Sequence, residues 1–178
     1  MIPRDYQVRA YDAVLDSLRR GHNPIAAIAT GGGKSLLLSM LVDKFRSNGG
    51  YSLVLANSKE LIVQNMRSMR LYRGLDGIGV YSAGLNHNTI GTAATYGTIQ
   101  TIYRNLHRLP EVDVVLVDPL RDPLLARMSV GIAAGDDVLR DLDGQLLRAL
   151  LVEVDDRRDI AGDVGDEQVT NTARGLHG

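Results

Sequence analysis

Ile25-Ala26-Ala27-Ile28-Ala29-Thr30-Gly31-Gly32-Gly33-Lys34-Ser35 decides how this chain folds. An apolar, partly β-branched strand runs straight into three glycines, a lysine and a hydroxyl residue. Such a junction builds a nest of backbone N–H groups around the oxygens of a triphosphate. Glycine serves there because the loop takes up backbone angles that other residues resist, and because a side chain would hold the phosphates away. Lys34 then reaches the β- and γ-phosphates, Ser35 offers its hydroxyl to Mg²⁺, and a helix starting near Lys34 turns its positive end to the anion. The strict phosphate-loop pattern wants glycine where Ile28 stands. The alternative is a glycine-rich turn that binds nothing. Leu36-Leu37-Leu38 and Met40-Leu41-Val42 read as a buried helix and favour the nucleotide reading.

Outward from this loop, strands and helices alternate. Tyr6, Ala10, Ala13, Val14 and Leu18 fall near helical spacing, so residues 5–20 read as an amphipathic helix stopped by Gly21. Residues 24–29 form the first strand and 34–46 the helix after it. Asn48-Gly49-Gly50 is a turn, 51–56 a second strand, and Ser58 caps a helix running to about Arg70. A short strand at 79–82, a polar loop at 84–91, a strand at 92–96 and a short helix at 98–108 follow. Val112-Asp113-Val114-Val115-Leu116-Val117 is a β-branched strand ending at Asp118. The alternation implies an α/β fold, a parallel sheet with helices on both faces. Ligands bind such sheets beyond the carboxyl ends of the strands, where Gly31–Ser35 and Asp118 both fall.

Composition narrows the function. Of 178 residues, 44% are hydrophobic and 23% charged, as in a globular domain. Cysteine is absent, which excludes disulfides, thiolate zinc sites and cysteine nucleophiles. The four histidines show no ligand spacing. Neither a signal peptide nor a membrane-spanning apolar run is present, so the expectation is a cytoplasmic protein with no membrane partner. Charge is uneven: residues 1–118 hold 13 Lys and Arg against 9 Asp and Glu, and residues 119–178 hold 7 against 12. All three lysines and all eight aromatic residues precede residue 104. The chain therefore divides at residue 118 into segments of different character.

Asp118 ends its strand where a nucleotide hydrolase carries an aspartate for Mg²⁺. Read alone it is equally a turn residue ahead of Pro119. Ser58 and Thr98 read as helix caps, Lys59 as part of a solvated face, Gln7 as an exposed helix residue and Tyr6 as core packing. Asn57, Ser58 and Lys59 also set an amide, a hydroxyl and an ammonium at a helix start, the groups that commonly bind nucleic-acid phosphates. Arg67, Arg70, Arg73, Arg104 and Arg108 supply either a weak attractive field for such a strand or an ordinary charged surface.

Taken together, residues 3–118 resemble the first RecA-like domain of superfamily 2 helicases of the DEAD/DEAH type, in the group of type III restriction subunits and RadD-like repair helicases. Arg4-Asp5-Tyr6-Gln7 is similar to the family's Arg-x-Tyr-Gln entry, whose glutamine contacts adenine. Ala29-Thr30-Gly31-Gly32-Gly33-Lys34-Ser35 is similar to motif I, which does not require glycine at the place of Ile28. Leu55-Ala56-Asn57-Ser58-Lys59-Glu60-Leu61-Ile62-Val63-Gln64 resembles motif Ia. Tyr81–Gly84 and Thr95–Thr101 resemble later segments, and Val114–Asp118 the start of motif II. The resemblance implies ATP and Mg²⁺ as cofactors, with Gln7, Thr30, Gly31, Gly32, Gly33, Lys34 and Ser35 on the nucleotide. It implies Lys34 and Asp118 as catalytic residues and Ser35 and Asp118 as the Mg²⁺ ligands. Asn57, Ser58, Lys59, Thr98 and Gln100 would meet a nucleic-acid strand, DNA in the first place and RNA as the alternative. The implied activity is that of an ATP-dependent helicase or DNA translocase.

The pattern breaks after Asp118. The family continues with Glu-Ala-His or a close variant, and this chain reads Pro119-Leu120-Arg121. Proline can neither orient nor deprotonate the attacking water, and the next glutamate is Glu153. Loss of such a base commonly removes ~10²–10⁴-fold of rate. Residues 119–178 carry nothing of motif III or of the second RecA-like domain. They read as an atypical tail with a helix over 136–154 and a disordered remainder. A change of reading frame just after Asp118 accounts for the break. A natural truncated variant with its own C-terminal helix is the alternative. Two further functional classes stay open: a nucleotide- and nucleic-acid-binding remnant without turnover, and another P-loop phosphotransferase.

Overall fold

The computed structural model describes residues 1–29, 31–118, 148–153 and 169–171. In chain order the elements are α1 (Asp5–Arg19), β1 (Pro24–Ala27), α2 (Lys34–Ser47), β2 (Ser52–Ala56), α3 (Lys59–Arg73), β3 (Ile78–Ser82), β4 (His87–Asn88), β5 (Ala94–Thr98), α4 (Ile99–Tyr103), β6 (Val114–Asp118), β7 (Arg148–Glu153) and β8 (Val169–Asn171). The strands form one sheet in the order β4-β3-β5-β2-β6-β7-β1-β8. Every pairing is parallel except those of the edge strands β4 and β8.

The expected two-faced sheet is present, with an unequal division of helices. β2 and β6 are buried along their whole length, the pattern of central parallel strands covered on both sides. Val54, Ala56, Tyr96, Val114 and Leu116 pack with residues of α1, α2 and α3 on one face. The alternate residues Leu53, Leu55, Val115 and Val117 pack with Ile99 and Ile102 of α4 on the other. In α1 the buried stripe is Gln7, Ala10, Val14, Leu15 and Leu18, whereas Ala13, expected inward, is exposed.

Several boundaries differ from expectation. The strand expected at 92–96 is β5, at Ala94–Thr98. Gly97 within it is a place of close approach: a Cβ there would meet the side chain of Ile102 and lie 2.9 Å from the Tyr81 carbonyl oxygen. The helix expected over 98–108 divides into α4 and a 3₁₀ turn at Leu106–Arg108. The polar loop 84–91 contains β4, paired antiparallel with β3.

The helix expected over 136–154 is overturned where it is described. Arg148–Glu153 is β7, inserted between β6 and β1 with parallel partners on both sides. Ala149-Leu150-Leu151-Val152 is a short apolar run, whose periodicity alone cannot separate a strand from a helix; the open edges of β1 and β6 decide it. The remainder, expected to be disordered, contributes β8, antiparallel to β1. Residues 136–147 of that helix lie outside the described residues. The boundary at residue 118 is thus a change of composition but not an edge of the sheet, since β1 takes both its neighbours from beyond it.

Candidate nucleotide and nucleic-acid site

The glycine loop joins β1 to α2, and each glycine has its own reason. Gly31 and Gly33 have φ of 81° and 82°, in the left-handed region that favours glycine. At Gly32 a Cβ would lie 2.7 Å from Cγ2 of Ile28 and 2.9 Å from the Ala29 carbonyl oxygen. Ile28 itself is 1% exposed and packs in the core beneath the loop. Gly33 is the residue before the first turn of α2, and Lys34 begins the helix as the sequence predicts. Thr30 lies outside the described residues.

α1 braces this loop. Gln7 is 4% exposed, against the reading of an exposed helix residue. Its Oε1 accepts from the Arg4 N–H at 2.9 Å, which satisfies a donor at the helix start. Its Nε2 donates to the Gly32 carbonyl at 2.9 Å, and the Tyr6 hydroxyl donates to the same oxygen at 2.8 Å. An amide has two N–H donors, so Gln7 keeps a second donor beyond the one given to Gly32. Gln7, Lys34, Ser35, Gln64, Arg4 and Arg67 are among the residues lining a cleft of about 710 Å³, within the size range of small-molecule sites.

Asp118 comes to this loop from the other side of β7. Its side chain is fully buried, and Oδ1 lies 3.1 Å from Nζ of Lys34. Oδ2 accepts from Nδ2 of Asn65 at 2.8 Å, while Oδ1 accepts no hydrogen bond. On the same helix Gln64 donates from Nε2 to the Ser35 hydroxyl at 3.1 Å. Two adjacent residues of α3 therefore hold the two expected Mg²⁺ ligands. A hydroxyl and a carboxylate are hard oxygen donors suited to Mg²⁺, which keeps several waters and uses substrate phosphates. Among the described residues no cluster of three or more His, Asp or Glu could hold a metal by itself. Oδ1 of Asp118, ion-paired with Lys34 but accepting no hydrogen bond, fits a cation that would bring phosphate and water with it.

The residues expected on a nucleic acid gather at the same carboxyl rim. Register aligns Ala56 with Thr98 on one side and Asp118 on the other, so Asn57–Lys59 and Thr98–Gln100 leave the sheet side by side. Lys59 and Gln100 are exposed, and Asn57, Ser58 and Thr98 half-buried. Ser58 caps α3 with an acceptor 3.4 Å from the Leu61 N–H, and the Thr98 hydroxyl donates to Thr101 at 2.8 Å. The Glu60 carboxyl is held below its usual range by backbone and Ser58 hydrogen bonds at this helix start. Two arginines of the expected field are committed elsewhere: Arg73 to Asp43 at 3.1 Å, and Arg108 to the Tyr81 hydroxyl at 2.8 Å.

The family model for the type III restriction enzyme res subunit matches residues 1–119. The chain belongs to this family. Its match ends at the point where the composition changes. IRC3 of Saccharomyces cerevisiae (strain ATCC 204508 / S288c), classed by its name with the ATP-dependent helicases, is 30% identical over 129 residues, covering 65% of this chain and 18% of that protein. The chain thus spans less than a fifth of this relative. Two solved structures share the fold. A nuclease-deletion mutant of the type ISP restriction-modification enzyme LlaGI, in complex with a DNA substrate mimic, has a TM-score of 0.60 at 15% identity. That match covers 85% of this chain and 17% of the other. The UvsW helicase of bacteriophage T4 has a TM-score of 0.57 at 16% identity, covering 85% and 52%. Membership of the family makes this the N-terminal RecA-like domain of a superfamily 2 helicase.

Sequence reasoning missed Asn65, Gln64 as a partner of Ser35, and Arg67 in the cleft. Asn65 carried a legible signal. It stands at helical spacing between Ile62 and Met69, all three with no exposed surface, so it is a polar residue on a buried face. Glu153, distant in sequence, ends β7 in register with Ala27, the last residue of the strand that leads to the glycine loop.

Proposed function

We propose that this chain is the nucleotide-binding part of an ATP-dependent DNA translocase or helicase. ATP sits on Gly31–Ser35, with adenine toward Gln7, and Mg²⁺ between Ser35 and Asp118. The observation that carries this reading is the 3.1 Å ion pair between Lys34 and the buried Asp118, which joins the phosphate loop to the strand expected to hold the metal. Bound Mg²⁺ would supply charge neutralisation at the phosphates; Lys34 would leave Asp118 and take up the γ-phosphate. The loop glycines would give backbone donors, and Asn57, Ser58, Lys59, Thr98 and Gln100 would hold a DNA strand at the adjoining rim, RNA being the alternative. Localisation in the cytoplasm is part of the same proposal; among the described residues no helix is long and apolar enough to cross a membrane.

A binding module with little turnover is the second reading, favoured by Asp118-Pro119 where the family has Asp-Glu. Both readings expect ATP binding by calorimetry. They part in an ATPase assay with and without single- and double-stranded DNA. The expected outcome is DNA binding with hydrolysis far below an ordinary enzymatic ~1–10³ s⁻¹. A DNA-stimulated rate inside that range would falsify the low-turnover reading, and absence of ATP binding would sink both.

A further inference from the structure

We infer that Asn65 is a positioning residue for the metal, fixing the Asp118 carboxylate and receiving a water from the cation's shell; this rests on the reading of Ser35 and Asp118 as the Mg²⁺ site. Asn65 stands in the interior of α3 with no exposed surface. Such a place normally takes an apolar residue, since a buried carboxamide is costly unless its groups are bonded. One side of the carboxamide is satisfied: Nδ2 donates to Asp118 Oδ2 at 2.8 Å. The other is not, because Oδ1 is buried with no hydrogen-bond partner. Across the contact, Asp118 Oδ1 likewise accepts no hydrogen bond; it is held by the 3.1 Å ion pair with Lys34, which the proposed function would release to the γ-phosphate. Two acceptors that take no hydrogen bond therefore belong to two side chains already in contact. A buried group left unpaired calls for an explanation, and an absent water or ion is a common one. A hydrated divalent cation answers both acceptors together. The Asp118 carboxylate would hold its charge, and Oδ1 of Asn65 would accept from one of its bound waters. The neighbouring Gln64 on Ser35 places the second ligand from the same turn of helix. Groups that orient metal ligands in this way typically carry 10–100-fold of metal affinity.

The test measures Mn²⁺ affinity by electron paramagnetic resonance on the full chain saturated with ADP, beside ADP affinity in EDTA and the thermal melt. Asn65→Leu keeps the branched shape and removes both polar ends. The expected result is about a 10–100-fold loss of Mn²⁺ affinity, with metal-free ADP affinity within about twofold of the parent. Unchanged Mn²⁺ affinity overturns the role of Asn65 while leaving the metal site standing. An equal loss of metal-free ADP binding overturns it too, since Asn65 would then be merely structural. If the unmodified protein adds no Mn²⁺ to bound ADP, the metal reading itself fails and takes this inference with it. Should Asn65→Leu not fold, the unmodified protein decides. The Asn65 side-chain amide resonances must move when Mg²⁺ joins the ADP complex, and resonances that stay in place overturn the inference.

Discussion

β1 and β6 deliver the two halves of the nucleotide corner, yet they are held in the sheet in different ways. β6 pairs along its length with β2, and β2 with β5, so one flank of the strand bearing Asp118 is built within residues 52–118, while its other flank pairs with β7. β1, which delivers the glycine loop, pairs only with β7 and β8, from beyond the family match. Its other holds are packing against α1 and α2 and the Lys34–Asp118 ion pair. The strand expected to bear the metal thus keeps one sheet neighbour inside the family match, whereas both sheet neighbours of the strand that delivers the phosphate loop lie beyond it.

The largest expected effect comes from taking those segments away. In a chain ending at Asp118, the amides of Ile25–Ala27 should lose about a thousandfold of hydrogen-exchange protection, while those of Leu53–Leu55, between β5 and β6, keep most of theirs. Equal protection in both strands would show that α1 and α2 alone secure β1, and the contrast would collapse.

The ion pair gives the next effect. Lys34→Ala leaves the Asp118 carboxylate buried without a counter-charge and should cost about 3–5 kcal/mol in denaturant unfolding. Asp118→Asn should cost less, because Lys34 retains 15% of its side-chain surface and can turn its ammonium to water. The double variant should cost less than the sum of the two. Additive losses would mean that the pair does not tie the loop to β6. This coupling also matters for reading any loss of ATP binding in Lys34→Ala, which combines a missing phosphate contact with a loosened loop.

The smallest effect sharpens the picture of the strands inside the family match. Tyr96 of β5 is fully buried, its hydroxyl has no partner, and burial pushes its ionisation well above the ordinary tyrosine value of 10.0. The unfolded chain therefore ionises this phenol first. Its contribution is fully present below pH 10 and is lost as pH rises from there through the folded value. Tyr96→Phe should be near neutral at pH 7, since it removes an unpaired hydroxyl, and should flatten the alkaline loss of stability seen in pH-dependent unfolding. An unchanged alkaline slope would mean that Tyr96 reaches water.

Much of the fold was legible because its signals are local. The boundaries of α1, α2 and β6 follow from capping residues, glycines and runs of apolar or β-branched side chains that act within a few residues. β7 was not legible, since Ala149–Val152 suits either element and only the open edges of β1 and β6 choose between them. In the site, the glycine loop and Asp118 were readable as motifs. Gln7 was readable in position but not in its burial, and Asn65 was overlooked although its spacing between Ile62 and Met69 marked it.

By itself, then, the sequence determined the alternation of strands and helices, the phosphate loop and the missing glutamate after Asp118, since each is carried by residue type at short range. Tertiary structure alone decided that Lys34 meets Asp118, that Gln64 and Asn65 hold Ser35 and Asp118, and that residues beyond 118 close the sheet around β1. Those are contacts between segments far apart in the chain, and the register and stacking that create them exist only once the sheet is assembled.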